Sequence, residues 1–333
     1  MAAMAAGAGT LARVAVGCTG RDESARSAPG LERELRILAP RDAFAADLLD
    51  RFSVETGVRV AHEQYAGRGA VLPPDDSGFD LIAFMSPAAA SLRAAGRIVP
   101  LDRALVPSVS DLLPMFQPDG AELVAIPYAW EATGIAWRPA DLPDVPGAAP
   151  TTWCVFFEPA LAGRMTLLDG ARDVLGAMLL LRGRSVNTAD AAVLQQARDD
   201  ALASRRFLSG FRAAETLPLM ADGIAVSQAR SSEAARAIAS DPGISFAIPR
   251  EGGPVFAAQV ALAAAAAHPR AAHAFLDYIL HAEISTRIAA ASGRLSPLAG
   301  SGSPLPAERL EPVLDAGQAS ALYDRYWTEI QSA

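Results

Sequence analysis

Lysine is absent from this chain: all 29 basic residues among its 333 are arginine, a bias that GC-rich coding explains without invoking function. Cysteine occurs only as Cys18 and Cys154, and histidine only at positions 62, 268, 273 and 281. A disulfide between a leader cysteine and a core cysteine is not expected. Cys154 sits in Thr151-Thr152-Trp153-Cys154-Val155-Phe156-Phe157, where a capping threonine starts a short apolar helix and predicts a buried, inert thiol. His268, His273 and His281 flank or lie on one helix, but no cysteine or clustered carboxylate joins them, so neither a metal nor a cofactor is expected. The phosphate loop Gly-x-x-x-x-Gly-Lys is missing, as is Gly-x-Gly-x-x-Gly between a strand and a helix. Gly67-Arg68-Gly69 reads as a plain turn in preference to an anion cradle. With a net charge of -8 and no basic run interleaved with aromatics, nucleic acid is excluded as a partner. No apolar run is long enough to span a membrane.

What remains describes a globular protein. Half of the chain is apolar (51%) and 20% is charged, and 333 residues suffice for two domains around substantial cores. Residues 1–17 are small and apolar and end in Val-Ala-Val-Gly-Cys18, which resembles a bacterial lipoprotein cleavage site with Cys18 as the lipid-bearing residue. The resemblance lacks a basic start and the usual leucine, and Arg13 interrupts the run; a mis-called start codon would account for the first of these. Residues 19–32 read as a flexible tether.

Beyond the tether, strand and helix alternate. Glu34 to Ala39, Val58 to Tyr65 and Asp80 to Phe84 read as strands, with helices over Phe44 to Glu55 and Pro87 to Ala95, so a mostly parallel sheet is expected. Further strands are expected at Met165 to Leu168, Ile224 to Ala229, Ile244 to Ile248 and Gln259 to Ala266. Helices are expected over Ala171 to Leu181, Asp190 to Ala203 behind an Asn187-Thr188 cap, and Ser231 to Ala239 started by serine. Pro269 to Leu280, Glu283 to Ser292 and Ala319 to Ile330 complete the set. Everything is organised around Ile126 to Arg138. There, two strand-like runs, Leu123 to Ile126 and Gly134 to Trp137, flank Tyr128, Trp130 and Glu131. That stretch is either the chain's passage from one lobe to another or an aromatic turn inside one lobe.

Ile126-Pro127-Tyr128-Ala129-Trp130-Glu131-Ala132-Thr133 resembles the crossover segment of the spermidine/putrescine-binding proteins, the periplasmic substrate receptors of ABC importers. Glu55-Thr56-Gly57, Asp80-Leu81, Ala171-Arg172-Asp173-Val174, Asn187-Thr188, Pro249 to Gly253 and Leu322 to Tyr326 fall in that family's order, so the resemblance covers nearly all of 34–333. It implies an α/β protein of the type II periplasmic-binding architecture: two lobes with mostly parallel sheets, joined by a hinge, with solute in the cleft. Lobe 1 would comprise 33–134 with 255–291, and lobe 2 would comprise 135–254 with 292–333. It further implies a monomer, exported to the periplasm or the outer face of the cytoplasmic membrane, that hands a small solute to a membrane permease and catalyses nothing. The competing readings are a sensory or enzymatic protein on the same fold, or a receptor that has lost its ligand.

Carried over position by position, the family's cation pocket is largely rewritten here. Its aromatic-hydroxyl pair falls on Pro40 and Arg41, and its tyrosine region on Ser86-Pro87-Ala88. Its acidic pair falls on Gly170 and Asp173, a serine on Arg212, the tryptophan after the Ile224 strand on Arg230, and a last tyrosine on Arg294. The aromatic-plus-aspartate pair falls on Phe256 and Ala258. Asp169 and Glu131 are nearby acids that could compensate. The candidate ligand contacts are therefore Arg41, Trp130, Glu131, Asp169, Asp173, Arg212, Arg230, Phe256 and Arg294. Two expectations follow: an anionic solute gripped by two or more of Arg41, Arg212, Arg230 and Arg294, or arginines that are solvated or paired with Asp169, Asp173 and Glu131.

Overall fold

The computed structural model describes residues 30–41, 43–66, 77–118, 120, 122–142, 150–212 and 215–333; Cys18 and the Gly67-Arg68-Gly69 turn lie outside them. Strand β1 (Glu34–Pro40) leads to helix α1 (Ala46–Thr56), which buries Leu48, Leu49 and Phe52 along one face and stops at Gly57 in the left-handed region, φ 74°. Next come β2 (Arg59–Tyr65), β3 (Leu81–Met85), α2 (Ala89–Ala94) and β4 (Ile98–Val99). The stretch that reads as two strands around a turn is one strand, β5 (Ile126–Trp137). It is followed by β6 (Met165–Leu168), α3 (Ala171–Leu181), α4 (Ala191–Arg205), β7 (Leu208–Arg212), α5 (Thr216–Ala221), β8 (Val226–Arg230), α6 (Ser231–Ser240) and β9 (Ser245–Ala247). The chain ends with β10 (Gly253–Ala263), α7 (Pro269–Tyr278), α8 (Ala282–Ser292), β11 (Leu310–Pro312) and α9 (Ser320–Ser332).

The strands follow the order β2-β1-β3-β10-β5-β8-β6-β7. β1 runs parallel to β2 and β3, and β6 runs parallel to β7 and β8; the antiparallel pairings all involve β5 or β10, which pair with each other, β10 with β3 and β4, and β5 with β8 and β9. The inner strands β1, β3, β6 and β8 are mostly buried, whereas the edge strands β2 and β7 stay partly exposed and polar. Two large cores result. Leu35, Ile37, Phe52, Tyr128, Phe275 and Ile284 belong to the first; Trp153, Val174, Met178, Tyr323, Tyr326 and Ile330 belong to the second. β5 serves both, with Ile126 to Ala132 against β10 and Thr133 to Trp137 against β8 and β9.

Three local expectations change. Cys154 is exposed rather than buried: Thr152 caps a 3-10 turn, Trp153–Phe157, and its three-residue period sends Trp153 and Phe156 inward. α4 is capped by Asp190, whose Oδ1 accepts from the Ala192 and Val193 N–H groups at 2.8 and 3.2 Å. Neither β7 nor α5 is foreseen by the sequence reading, because Gly210 breaks the alternation of the one and α5 is a six-residue helix containing Pro218.

Candidate ligand-binding site

Where β5 leaves the first core, the alternation of a strand decides which side chains meet. Glu131 lies opposite Phe256 of β10, and Thr133 lies opposite Arg230 of β8, so these four project to one face of the sheet. Trp130 and Ala132 project to the other, where they pack with Val255, Ala257 and Ile248. Trp130 is 1% exposed, its indole N–H donates to the Ser296 carbonyl at 2.8 Å, and its ring packs edge-on to Phe116. Its neighbour Glu131 belongs to the candidate cluster on the opposite face, and Trp130 packs in the core, because adjacent strand residues cannot share a face.

On the first face the geometry is closely knit. Arg230 ends β8, and its guanidinium spans two carboxylates: Nη1 donates to Glu131 Oε1 at 3.2 Å and Nη2 to Asp173 Oδ2 at 2.8 Å. The same guanidinium lies over the Phe256 ring, 4.8 Å from its centroid. Glu131 is 0% and Asp173 2% exposed, whereas the Arg230 side chain keeps 21% of its surface. Ser232 donates its hydroxyl to Glu131 Oε2, and Thr133 donates to Asp173 Oδ1 at 2.6 Å. Burial alone lowers the Arg230 pKa, but the Asp173 and Glu131 carboxylates outweigh it and leave the group above its ordinary value. Arg294, itself buried, brings Nε to 3.9 Å from Glu131 Oε1.

Asp173 reaches this cluster because β6 runs parallel to β8 and hands over directly to α3. The carboxylate lies in the first turn of α3, where the helix dipole favours an anion. Gly170 precedes that helix; a Cβ there would come within 2.7 Å of Asp173 Oδ2, so glycine leaves room for the carboxylate. Gln228 locks the corner by donating to the Asp173 carbonyl while accepting from the Leu168 N–H, at 2.9 and 3.0 Å.

The other expected contacts lie apart from this cluster. Arg41 follows β1 and lines a pocket of about 360 Å³ with Asp47 and Arg287, which pair with each other. Arg212 ends β7; its Nη1 folds back on the Phe211 carbonyl at 2.9 Å, and it lines a pocket of about 380 Å³ with Asp169, Arg205 and Gln331. Asp169 is engaged there by Gln331 Nε2 at 2.8 Å. Of the nine expected contacts, Glu131, Asp173, Arg230, Phe256 and Arg294 converge. The sequence reading omits Thr133 and Ser232; the signal for Thr133 is its two-residue spacing from Glu131, and Ser231-Ser232 reads only as a helix start.

Beyond the C-terminal ends of parallel strands is where α/β sheets gather ligands. Arg41, Asp169, Arg212 and Arg230 all stand at such ends. A family model for bacterial extracellular solute-binding proteins matches residues 47–308, and the chain belongs to that family. It is 27% identical to the putrescine/cadaverine-binding protein of Pseudomonas aeruginosa over 87% of this chain and 91% of that one. It is 26% identical to the putrescine-binding periplasmic protein PotF of Escherichia coli, over 84% and 80% of the two chains. A structure described as a spermidine/putrescine ABC transporter from Listeria monocytogenes superposes with a TM-score of 0.72 at 25% identity, covering 90% of this chain and 99% of the other. The chain is thus a solute-binding component of an ABC importer, similar to the polyamine-binding ones, acting outside the cytoplasm, and not an enzyme. It holds a small molecule and delivers it to an ABC permease. No helix among the described residues is long and apolar enough to cross a membrane.

Proposed function

We propose that this receptor takes a solute bearing an anionic group, not a free polyamine, and that it does so by closing two lobes: 33–134 with 255–291, and 135–254 with 292–333. The observation that carries the reading is the engagement of Glu131 and Asp173 by Arg230. Two buried carboxylates beside an aromatic face would suit an ammonium group, but a guanidinium already fills that place. Arg230 and Arg294 are offset by the chain's own acids and do not make an anion grip by themselves. Arg41 and Arg212 remain as exposed guanidinium groups beyond strand ends of the first and second cores, each able to take a carboxylate or phosphonate oxygen. A solute that touches both lobes stabilises the closed form by its differential affinity for it.

Calorimetry with purified protein at low and moderate salt tests this. A micromolar complex corresponds to about 8 kcal/mol. A dicarboxylate or phosphonate is expected to reach that range, with putrescine and spermidine giving no saturable heat. Arg212→Ala is expected to weaken the acid by about tenfold, the loss of one charge-assisted pair, and small-angle scattering should show a smaller radius with the acid bound. Tight spermidine binding with no response to any acid would overturn the reading.

A further inference from the structure

We propose that Arg230 is a tethered ligand: its guanidinium occupies a cage of Glu131, Asp173 and Phe256, and removing the side chain converts that cage into a site for one free organic cation, a guanidinium or a primary alkylammonium. The proposal rests on the receptor reading only for where the cleft lies; the cage itself stands on contacts within the chain.

The cage does not depend on Arg230 for its shape. Glu131 is fixed by β5 and by the Ser232 hydroxyl, while Asp173 is fixed by α3 and by the Thr133 hydroxyl at 2.6 Å. These donors come from other residues and would persist in its absence. Phe256 is held opposite Glu131 by the β5–β10 register, so the aromatic wall stays too. The walls are buried, but the occupant keeps 21% of its surface, so the cage opens to solvent on the side from which Arg230 enters. A cavity sealed within the core would offer no such entrance.

Charge sets the class and number of ligands. The described contacts set Arg230 and Arg294 against two buried carboxylates. Removing Arg230 takes one positive charge away from two buried carboxylates, a loss that is strongly unfavourable until a cation is supplied. One cationic group restores the balance, and a planar guanidinium reproduces both the fork on the two acids and the stack on Phe256. A ligand such as spermidine would bring in further charges and should gain less.

The test compares wild-type protein, Arg230→Ala and Arg230→Met by thermal shift and calorimetry. Methylguanidinium and putrescine are the probes, with sodium chloride at matched ionic strength as the control. Wild type should show no saturable response to either probe. Arg230→Ala should melt lower than wild type, recover with methylguanidinium, and bind it at least tenfold more tightly than wild type does. Arg230→Met fills the same space without charge and should not respond. Should Arg230→Ala fail to fold in plain buffer, recovery of folded protein in methylguanidinium but not in sodium chloride supports the proposal, and recovery in neither overturns it. A folded Arg230→Ala that binds no cation also overturns it, and leaves the acid binding of wild type untouched. Putrescine binding by wild type with Arg230 in place would remove both readings.

Discussion

Thr133 is small, wholly buried and placed between two charges. Its hydroxyl gives Asp173 Oδ1 a donor that Arg230, committed to Oδ2, does not replace. Thr133→Val keeps the shape and removes that donor, and should destabilise the protein by about 1–3 kcal/mol, the cost of leaving a buried acceptor short. Urea titration checks it, the expected result being a lower midpoint at unchanged slope. Nothing in the sequence separates Glu131, Asp173, Arg230, Phe256 and Arg294, which meet, from Arg41, Asp169 and Arg212, which lie apart; only their standing as candidate contacts was legible, from the family's spacing. The facing of Trp130 was not. Aromatic residues flanked by Pro127 and Gly134 look like a turn, and a turn permits neighbours to share a side, which a strand forbids.

The reason β5 can be a single strand lies in its pairing. Ala129 faces Ala258 and Pro127 faces Gln259, so Tyr128 is an extra residue on β5 at this point. At Pro127 the strand has β10 on one side only, because β8 and β9 pair from Thr133 onward, and a one-sided strand next to a bulge tolerates a residue with no N–H to give to the ladder. A sequence carries no mark of which ladder position will be skipped, so the strand's continuity could not be read from it. Helix starts are similar: Asn187, Thr188 and Asp190 are all plausible caps, and only the backbone chooses. Asn187 instead ties the α3–α4 connection to the β11 segment, accepting from Leu314 N–H at 2.8 Å and donating to the Pro312 carbonyl at 2.8 Å. Asp190→Ala should therefore cost about 1 kcal/mol as a lost cap, and Thr188→Ala clearly less. Paired thermal melts of the two variants would show the order reversed if Thr188 were the cap.

Between the two proposed lobes, the first turn of α2 meets the loop after β11. Ser91 gives Asp315 both its hydroxyl and its backbone N–H, the latter at 2.9 Å, and Gly317 N–H joins at 2.6 Å. Burial pulls the Asp315 pKa up, but these donors and Arg172 outweigh it and hold the carboxyl below its usual value. A depressed carboxylate contributes stability above its unfolded pKa, about 3.9, and loses it as pH falls through the lower folded value. Wild type should therefore lose stability more steeply than Asp315→Asn below about pH 4. Parallel acid-limb slopes for the two proteins would show that Asp315 is not held this way.

The two cores also have a consequence for how the protein is made. The first joins Leu35, Ile37 and Phe52 to Phe275, Ile279 and Ile284; the second joins Trp153 and Val174 to Tyr323, Tyr326 and Ile330. A ribosome working from the amino end has laid down every early partner long before it reaches the late ones. Neither core can be completed while more than a small tail is still untranslated, so the nascent chain stays short of native packing for almost its whole synthesis. For a protein that works outside the membrane, that delay keeps the polypeptide open until nearly all of it exists, and a chain interrupted before α9 is left with the second core unclosed.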